Sequence, residues 1–240
     1  MLQSLNHLHG FTLHASDGEL GKVRDLYFDD QLWTIRYCVV DTGAWLTGRR
    51  VLISPASIAA VDWSARTVRV TLTCDQVKQS PQTETDMPVS RQQEVELSAH
   101  YGWPPYWTSY PYGLEPISFP TQLPPAAPAT SQGDPHLRST HEVKGYHVGA
   151  NDGLIGHISD FVFDDESWSV VYLVANTGTW LHQRLVLIDR DSIDSIDWAD
   201  RDVAVRLARE TVRTSPQFDG GYPLAPDYAE HLVRHYRRDG

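Results

Sequence analysis

The sequence predicts a mainly β protein made of two homologous small β-barrels, each followed by short helices. The chain of 240 residues repeats itself at a constant offset of 135: residues 10–101 (the first copy) align without a gap with residues 145–236 (the second copy). About 35 of the aligned positions are identical. Apolar and polar residues alternate over several short stretches in each copy, as in half-buried strands. Glycine-containing turns separate these stretches at spacings typical of a small barrel.

Each copy opens with a hairpin. Asp17-Gly18 and Asp152-Gly153 are turn dipeptides, because glycine adopts the positive φ that a tight turn needs. The strands that follow end at paired aspartates, Asp29-Asp30 and Asp164-Asp165. We interpret these pairs as turn formers rather than as calcium ligands or an acid/base pair. Neighbouring side chains at a strand end point apart, and no calcium-loop spacing of oxygen ligands follows them.

The next strand of each copy begins at a tryptophan. Trp33 and Tyr37 in the first copy, and Trp168 and Tyr172 in the second, lie on one face of an alternating stretch. We expect these four side chains in barrel cores or at an interface between the copies. Two equivalent copies can pack as an intrachain pseudo-dimer, because two-fold pairing is the commonest arrangement of identical units. Later strands are predicted where Val68, Val70, Leu72, Val203, Val205 and Leu207 alternate with polar residues.

Helix start signals follow the strands. Thr73 with Gln76 and Ser90 with Gln93 have capping-box spacing, in which side chains satisfy the free N–H groups of a helix start. Pro226 stands at a predicted first helical position of the second copy. We therefore expect short helices at the end of each copy.

A proline-rich linker is predicted between the copies. Residues 102–139 contain nine of the fifteen prolines, which excludes helix and favours extended chain. This places a first domain at residues 1–101 and a second at 140–240. The start of the linker is aromatic, and two interpretations remain open. The segment folds back onto its own barrels, which we favour slightly, or Trp103, Tyr106 and Trp107 present a stiff ligand to a partner.

Both copies share the pattern Thr-Gly-x-Trp-Leu. Its tryptophans are Trp45 and Trp180, each just past a glycine turn. We favour burial at the barrel end, because tryptophan contributes a large buried area. The alternative is that these rings are exposed and act as binding anchors for a partner.

The patterns DG-xx-G-xxx-D-xx-FDD, W-x-(I/V)-x-Y-x-V-xx-TG-x-WL and R-x-VLI recur in both copies. In these patterns the chain resembles a tandem PRC-barrel protein. Members of that family include the cytoplasmic domain of the photosynthetic reaction-centre H subunit and the C-terminal domain of a ribosome-maturation factor. The resemblance implies a small β-barrel in each copy. It also implies an adaptor that docks onto a larger assembly rather than a catalyst.

Composition and motifs exclude several classes of function. Twenty basic against thirty-one acidic residues leave a net charge of −11, which argues against direct nucleic-acid binding. No apolar run is long enough to span a bilayer, and the start of the chain has no signal-peptide pattern. Two cysteines are too few for a disulfide framework, so we expect a cytoplasmic protein. The sequence has no nucleophile elbow, phosphate loop or Cys–His pairing. We therefore expect that the chain is not an enzyme and binds no cofactor.

Metal ligands are not predicted either. His231 and His235 lie four apart on the expected last helix, but the first copy has Glu96 in place of the former. We interpret them as a solvated helix face rather than a metal site. Cys38 is interpreted as a small core residue.

The leading expectation is therefore a non-catalytic adaptor that binds a protein partner. A second interpretation is an accessory to membrane photosynthetic or electron-transfer complexes, with peripheral association at the inner membrane face. Asp25 and Asp160 would then be the best shared candidates for proton relay, although we favour a role on the strand surface for both. A third is a ribosome-assembly role through a ribosomal protein. A small-molecule sensor also stays open, with no ligand indicated.

Overall fold

Strands dominate the computed structural model, which describes residues 1–81, 89–108, 136–178 and 184–239. Seven strands belong to the first copy and the residues before it: β1 Leu2–Ser4, β2 Thr12–His14, β3 Glu19–Asp29, β4 Thr34–Asp41, β5 Arg50–Ile53, β6 Ile58–Asp62 and β7 Thr67–Val70. Seven more follow in the same order: β8 Leu137–Ser139, β9 His147–Ala150, β10 Gly153–Asp164, β11 Ser169–Asn176, β12 Leu185–Asp189, β13 Ile193–Asp197 and β14 Asp202–Val205. The predicted mainly β class is confirmed.

Short helices accompany the strands. They are α1 Leu5–Leu8, α2 Cys74–Lys78, α3 Arg91–Tyr101, α4 Thr140–Val143, α5 Arg209–Thr214 and α6 Pro226–Asp239. Both predicted capping boxes are present, with Thr73 before α2 and Ser90 before α3. Pro226 is the first residue of α6, as predicted. Single 3-10 turns occur at Gly43–Leu46, Pro55–Ser57, Tyr106–Thr108 and Arg190–Ser192.

All fourteen of these strands belong to one sheet. Its path runs β13-β14-β9-β10-β11-β4-β3-β2-β7-β6. Four further strands pair with members of this path: β1 with β10, β12 with β11, β5 with β4, and β8 with β3. The copies meet where β4 and β11 run antiparallel, with Thr34 opposite Ser169. Over the described ranges no pairing joins the two ends of this path. The expected separate closed barrels are therefore replaced by an open sheet that continues through both copies.

The open edge in the first copy lies beyond a corner of the chain. The chain passes from β5 to β6 through the 3-10 turn at Pro55–Ser57, where the Ser57 N–H donates to the Ser54 carbonyl at 3.0 Å. After this corner β5 pairs with β4, whereas β6 pairs with β7. The alternating sequence pattern predicts the strands, but it does not specify the angle between them.

The strands that precede the two copies are exchanged. β1 stands before the first copy and pairs with β10 of the second, with Ser4 opposite Val162. β8 stands before the second copy and pairs with β3 of the first, with Ser139 opposite Tyr27. Each copy is therefore completed by a strand that the sequence places in front of the other.

We call residues 1–8 and 136–143 the leading segments. Each contributes a strand and the helical turn that follows it, α1 or α4. The apolar side chains of both segments enter the core: Leu5, Leu8, Leu137 and Val143 are at most 4% exposed. Their exchange therefore links the two copies by apolar burial as well as by strand pairing.

Aromatic rings also cross between the copies. The rings of Phe28 and Phe161 lie 5.6 Å apart, and those of Trp63 and Phe163 lie 6.3 Å apart. Both distances are within the range of favourable aromatic contact. The core is therefore shared between the copies and is continuous across β4 and β11.

The tryptophans at the start of β4 and β11 lie at this junction. The Trp33 carbonyl accepts from the Val170 N–H at 2.7 Å, and the Trp168 carbonyl accepts from the Ile35 N–H at 2.8 Å. Trp168 is buried, and Trp33 packs against the same core. The buried aromatic and cysteine side chains of these strands are Tyr37, Tyr172 and Cys38. The predicted core or interface positions of these residues are confirmed.

One glycine position is required in both copies for a steric reason. A Cβ at Gly21 would lie 2.0 Å from the Asp41 carbonyl oxygen, and at Gly156 it would lie 2.1 Å from that of Asn176. Either contact is far inside van der Waals distance. Close approach of the two backbones therefore requires glycine in both copies.

Candidate functional site

The second leading segment is anchored to the first copy by Asp25. This carboxylate accepts from the Ser139 hydroxyl at 2.5 Å, the Thr140 hydroxyl at 2.9 Å and the His141 N–H at 3.2 Å. Ser139 precedes α4, and its own hydroxyl accepts from Glu142. Asp25 thus holds the start of a helical turn, where unpaired N–H groups favour an anion.

Asp160 anchors the first leading segment to the second copy in the same way. It accepts from the Ser4 hydroxyl at 2.5 Å and from the Asn6 N–H at 3.1 Å. It also accepts from the N–H of the following Phe161 at 2.7 Å. The two carboxylates proposed for proton relay therefore carry equivalent anchoring contacts between the copies. A relay role for them remains a prediction.

Burial raises the pKa of the Asp160 carboxyl above its ordinary value of 3.8, and the bonds from Ser4, Phe161 and Asn6 oppose this rise. The folded chain therefore binds a proton at this site more tightly than the unfolded chain does. Between 3.8 and the raised pKa, the contribution of Asp160 to the free energy of unfolding falls as pH rises.

We expect Asp160→Asn to remove this decline, because asparagine keeps an acceptor and does not ionise. The free energy of unfolding should be measured by urea titration at several pH values from 3.5 upward. As pH rises, the free energy of unfolding of the wild type should fall relative to that of the variant. A difference that is constant with pH would contradict the raised pKa.

The second aspartate of each turn pair also reaches across. Asp30 accepts from the Arg138 guanidinium at 3.1 Å, and Asp165 accepts from the Trp63 indole N–H at 3.1 Å. The amino group of Met1 donates to Asp165 as well. These side chains hold the beginning of each leading segment, next to the anchors at Asp25 and Asp160.

The first aspartate of each pair closes its turn. Asp29 accepts from the N–H groups of Gln31 and Leu32, both at 3.0 Å, so the turn-forming interpretation is confirmed for the first member of this pair but not for the second. In the part of the chain that the structure describes, no group of three or more His, Cys, Asp or Glu side chains could hold a metal ion. His235, weighed as a metal ligand, instead hydrogen-bonds through its ring to the Thr211 carbonyl at 2.7 Å.

The first part of the aromatic linker lies against its own chain. Trp103 is 8% exposed, stacks on Tyr101 at 4.3 Å between ring centroids and donates its indole N–H to the Ser57 hydroxyl at 2.5 Å. Residues 103–107 therefore dock on the first copy, which agrees with the interpretation favoured above. Tyr110 and Tyr112 lie outside the described residues.

Tyr106 is held by a buried carboxylate. Its hydroxyl donates to Glu94 at 2.5 Å, and the Tyr37 hydroxyl donates to the same oxygen at 3.0 Å. Arg91 pairs with the other Glu94 oxygen at 2.8 Å, and the Arg36 guanidinium lies 3.8 Å from the centre of the Tyr106 ring. This cluster belongs to the first copy, because the position equivalent to Glu94 is Ala229.

The remaining predicted contact residues differ in exposure. Trp45 is 41% exposed, and its indole N–H donates to the Leu20 carbonyl at 2.7 Å. Its predicted burial at the barrel end is wrong, because the 3-10 turn Gly43–Leu46 that carries it lies on the surface. Trp107 is half-buried, with the Arg91 guanidinium 4.7 Å from its ring centre. Trp180 lies outside the described residues.

A cleft of about 750 Å³ opens where the first copy meets the turn before β11. Four consecutive residues of β6, Ile58 to Val61, line it. Successive side chains of a strand point to opposite faces, so a run of four indicates that the backbone edge borders the cleft. β6 is the last strand of the sheet path in the described residues. Pro104, Pro105, Tyr106 and Trp168 form part of the walls.

The second copy differs at the corner that borders this cleft. There the Arg190 guanidinium donates to the Val170 carbonyl of β11 at 3.1 Å. The equivalent residue in the first copy is Pro55, which has no side-chain donor and lines the cleft together with Ile35, the equivalent of Val170. The cleft is therefore a feature in which the first copy departs from the second.

The leading segments precede the repeat defined from residue 10, so the predicted site does not include their serines. Leu2 and Ser4 match Leu137 and Ser139 at the same offset of 135. The repeat therefore extends upstream of residue 10 and contains both anchoring serines. Sequence identity could not show that each serine binds the opposite copy.

These features define a strand-rich protein in which paired aspartates and serines hold two interlocked copies together, beside an open strand edge. Residues 136–205 match the family model of the PRC-barrel domain, so a PRC-barrel domain is present in this part of the chain. The matched range begins with the second leading segment and ends with β14. The comparison with curated proteins returned no match. None of the helices described here has the length and apolarity needed to cross a membrane.

Proposed function

We propose that this chain is a non-catalytic cytoplasmic adaptor that binds an extended segment of a partner protein in the cleft beside β6. The observation that carries the proposal is the strand edge that borders the cleft. A strand edge presents N–H and C=O groups in a row, and addition of an extended peptide to such an edge is a recurring mode of protein recognition. The PRC-barrel domain supports an interaction module as the general class.

The side chains of the cleft suit such a segment. Ala59 and Ala60 are small and leave room beside the strand, while Tyr106 and Trp168 supply aromatic walls. Asp165 and Glu166 lie on the cleft border, and the whole chain has a net charge of −11. The Met1 amino group, which binds Asp165, and Arg36 line the same cleft, so its charges balance and the strand edge with its apolar walls would select the segment.

We further propose that the first copy is a second PRC-barrel-like domain and that the two copies form an intrachain pseudo-dimer. The constant offset of 135, the matching strand order and the reciprocal Ser–Asp anchors support this proposal. Trp45 and Trp107 are proposed as additional partner contacts, because part of each ring is exposed.

Binding in the cleft is expected to be abolished by Ala59→Arg. Ala59 is exposed, so a long side chain at this position should block the cleft without disturbing the core. The wild-type and variant full-length chains should be used as baits against native lysate that has been separated into cytosolic, membrane and ribosomal fractions. A partner retained by the wild type should be reduced at least 10-fold on the variant.

Ser195→Arg is the matched control. Ser195 is exposed on β13, at the opposite end of the sheet path. This variant should retain the partner at the wild-type level. Equal loss on both variants, or a partner that both retain, would contradict binding at β6. The fraction that holds the partner distinguishes a cytosolic protein from a membrane electron-transfer complex or a ribosomal protein.

A further inference from the structure

The contacts between the two copies form a reciprocal set. Thr34 of the first copy lies opposite Ser169 of the second, and these two positions are themselves equivalent at the offset of 135. Ser4 binds Asp160, while the equivalent Ser139 binds Asp25. Such a pattern, in which position i meets j and j meets i, is that of a two-fold interface between identical subunits. Here one chain supplies both sides.

Neither copy is complete without the other. The second copy takes β1 as the partner strand of β10, and it buries Leu5 and Leu8 of α1. The first copy takes β8 as the partner strand of β3, and the buried side chains of Leu137 and Val143 come with it. A copy that lacks its partner would expose apolar surface and leave Asp25 or Asp160 without its bonded hydroxyl groups. Each copy is therefore strongly driven to pair.

None of these contacts requires that the two copies belong to the same chain. The docked residues 103–107 and the second leading segment are joined through residues 109–135, and a covalent connection raises the local concentration of one copy around the other. A second chain at comparable local concentration can supply the same leading segment and the same strand. We propose that two copies of this chain associate by exchange, so that the first copy of each chain pairs with the second copy of the other.

The pair Thr34 and Ser169 offers a direct test. The Ile35 N–H donates to the Trp168 carbonyl, and the Val170 N–H donates to the Trp33 carbonyl. These bonds flank Thr34 and Ser169, which therefore form a non-hydrogen-bonded antiparallel pair with Cα atoms about 4.5 Å apart. Cysteines at such a pair are within disulfide range. The natural Cys38 and Cys74 would first be replaced by Cys38→Val and Cys74→Ser.

In this background, one full-length chain carries Thr34→Cys and another carries Ser169→Cys. The two are unfolded together in reductant, refolded at increasing protein concentration and then oxidised. Exchange predicts a disulfide-linked dimer that joins position 34 of one chain to position 169 of the other, in a fraction that rises with concentration. Peptide mass spectrometry would identify the bond. Each variant refolded alone should give no crosslink, because its cysteine would face the natural Ser169 or Thr34.

A chain that carries both substitutions is the positive control, since it should form the bond within one molecule in dilute solution. If that control closes and the mixture stays monomeric at every concentration, the proposal is wrong. Crosslinked dimers of the Thr34→Cys chain alone would also overturn it, because first copies would then pair with first copies. This test is independent of binding in the cleft, so the adaptor proposal stands or fails separately.

Discussion

Replacing Asp160 with alanine is expected to lower the free energy of unfolding by about 3 kcal/mol, because it removes the common acceptor of a buried group of hydrogen bonds. The Ser4 hydroxyl and the Asn6 N–H would lose their partner, and the first leading segment would lose its main polar attachment to the second copy. Urea unfolding of the full chain, followed by far-ultraviolet circular dichroism at pH 7, measures the loss.

Asp194→Ala is the control for this prediction. The Asp194 side chain is 60% exposed, and its ion pair with Arg206 has a distance of 4.0 Å. Its removal should change the free energy of unfolding by no more than about 0.5 kcal/mol. If Asp160→Ala costs no more than this control, Asp160 does not anchor the leading segment. Ser4→Ala should cost about 1 kcal/mol, because it removes one of the bonds that Asp160→Ala removes together.

Trp103→Ala is expected to lower the free energy of unfolding by about 3 to 4 kcal/mol, the usual cost of truncating a large buried aromatic side chain. The ring is 8% exposed and stacks on Tyr101, so its loss leaves a cavity at the surface of the first copy. The Ser57 hydroxyl also loses its donor. The same urea titration measures this effect.

Trp45→Ala is the matched control, because it removes the same side chain from a site that is 41% exposed. We expect a loss of about 1 kcal/mol or less, mainly from the bond between the indole N–H and the Leu20 carbonyl. Equal losses for the two variants would contradict the docking of residues 103–107 on the first copy. A larger loss for Trp103 would indicate that this part of the linker contributes to folding.

Local features of this fold follow from the sequence. The strands around Val68 and Val203 are predicted by alternation, and the starts of α2 and α3 are predicted by their capping boxes. Each of these depends on residues within a few positions of one another, so a linear pattern contains the information. Closure of the sheet depends instead on pairing between strands far apart in the chain, which no linear pattern specifies.

The candidate site was predicted less well, because its contacts span distant parts of the chain. Asp25 and Asp160 were identified as shared carboxylates, but their partners lie more than 100 residues away and required the three-dimensional arrangement. Trp45 and Trp103 present a similar difficulty. A tryptophan beside a glycine or a proline is equally compatible with exposure and burial, and only the neighbouring surface decides between them.

The exchange of leading segments has a consequence for the order of events during synthesis. When the ribosome has completed the first copy at Tyr101, β8, which pairs with the end of β3, has not yet been made, since it begins at Leu137. At ordinary rates of translation this delay is about 2 to 7 s. We therefore expect the nascent first copy to present an unfilled groove to chaperones during that interval. Its final structure would form only after the second leading segment has left the exit tunnel.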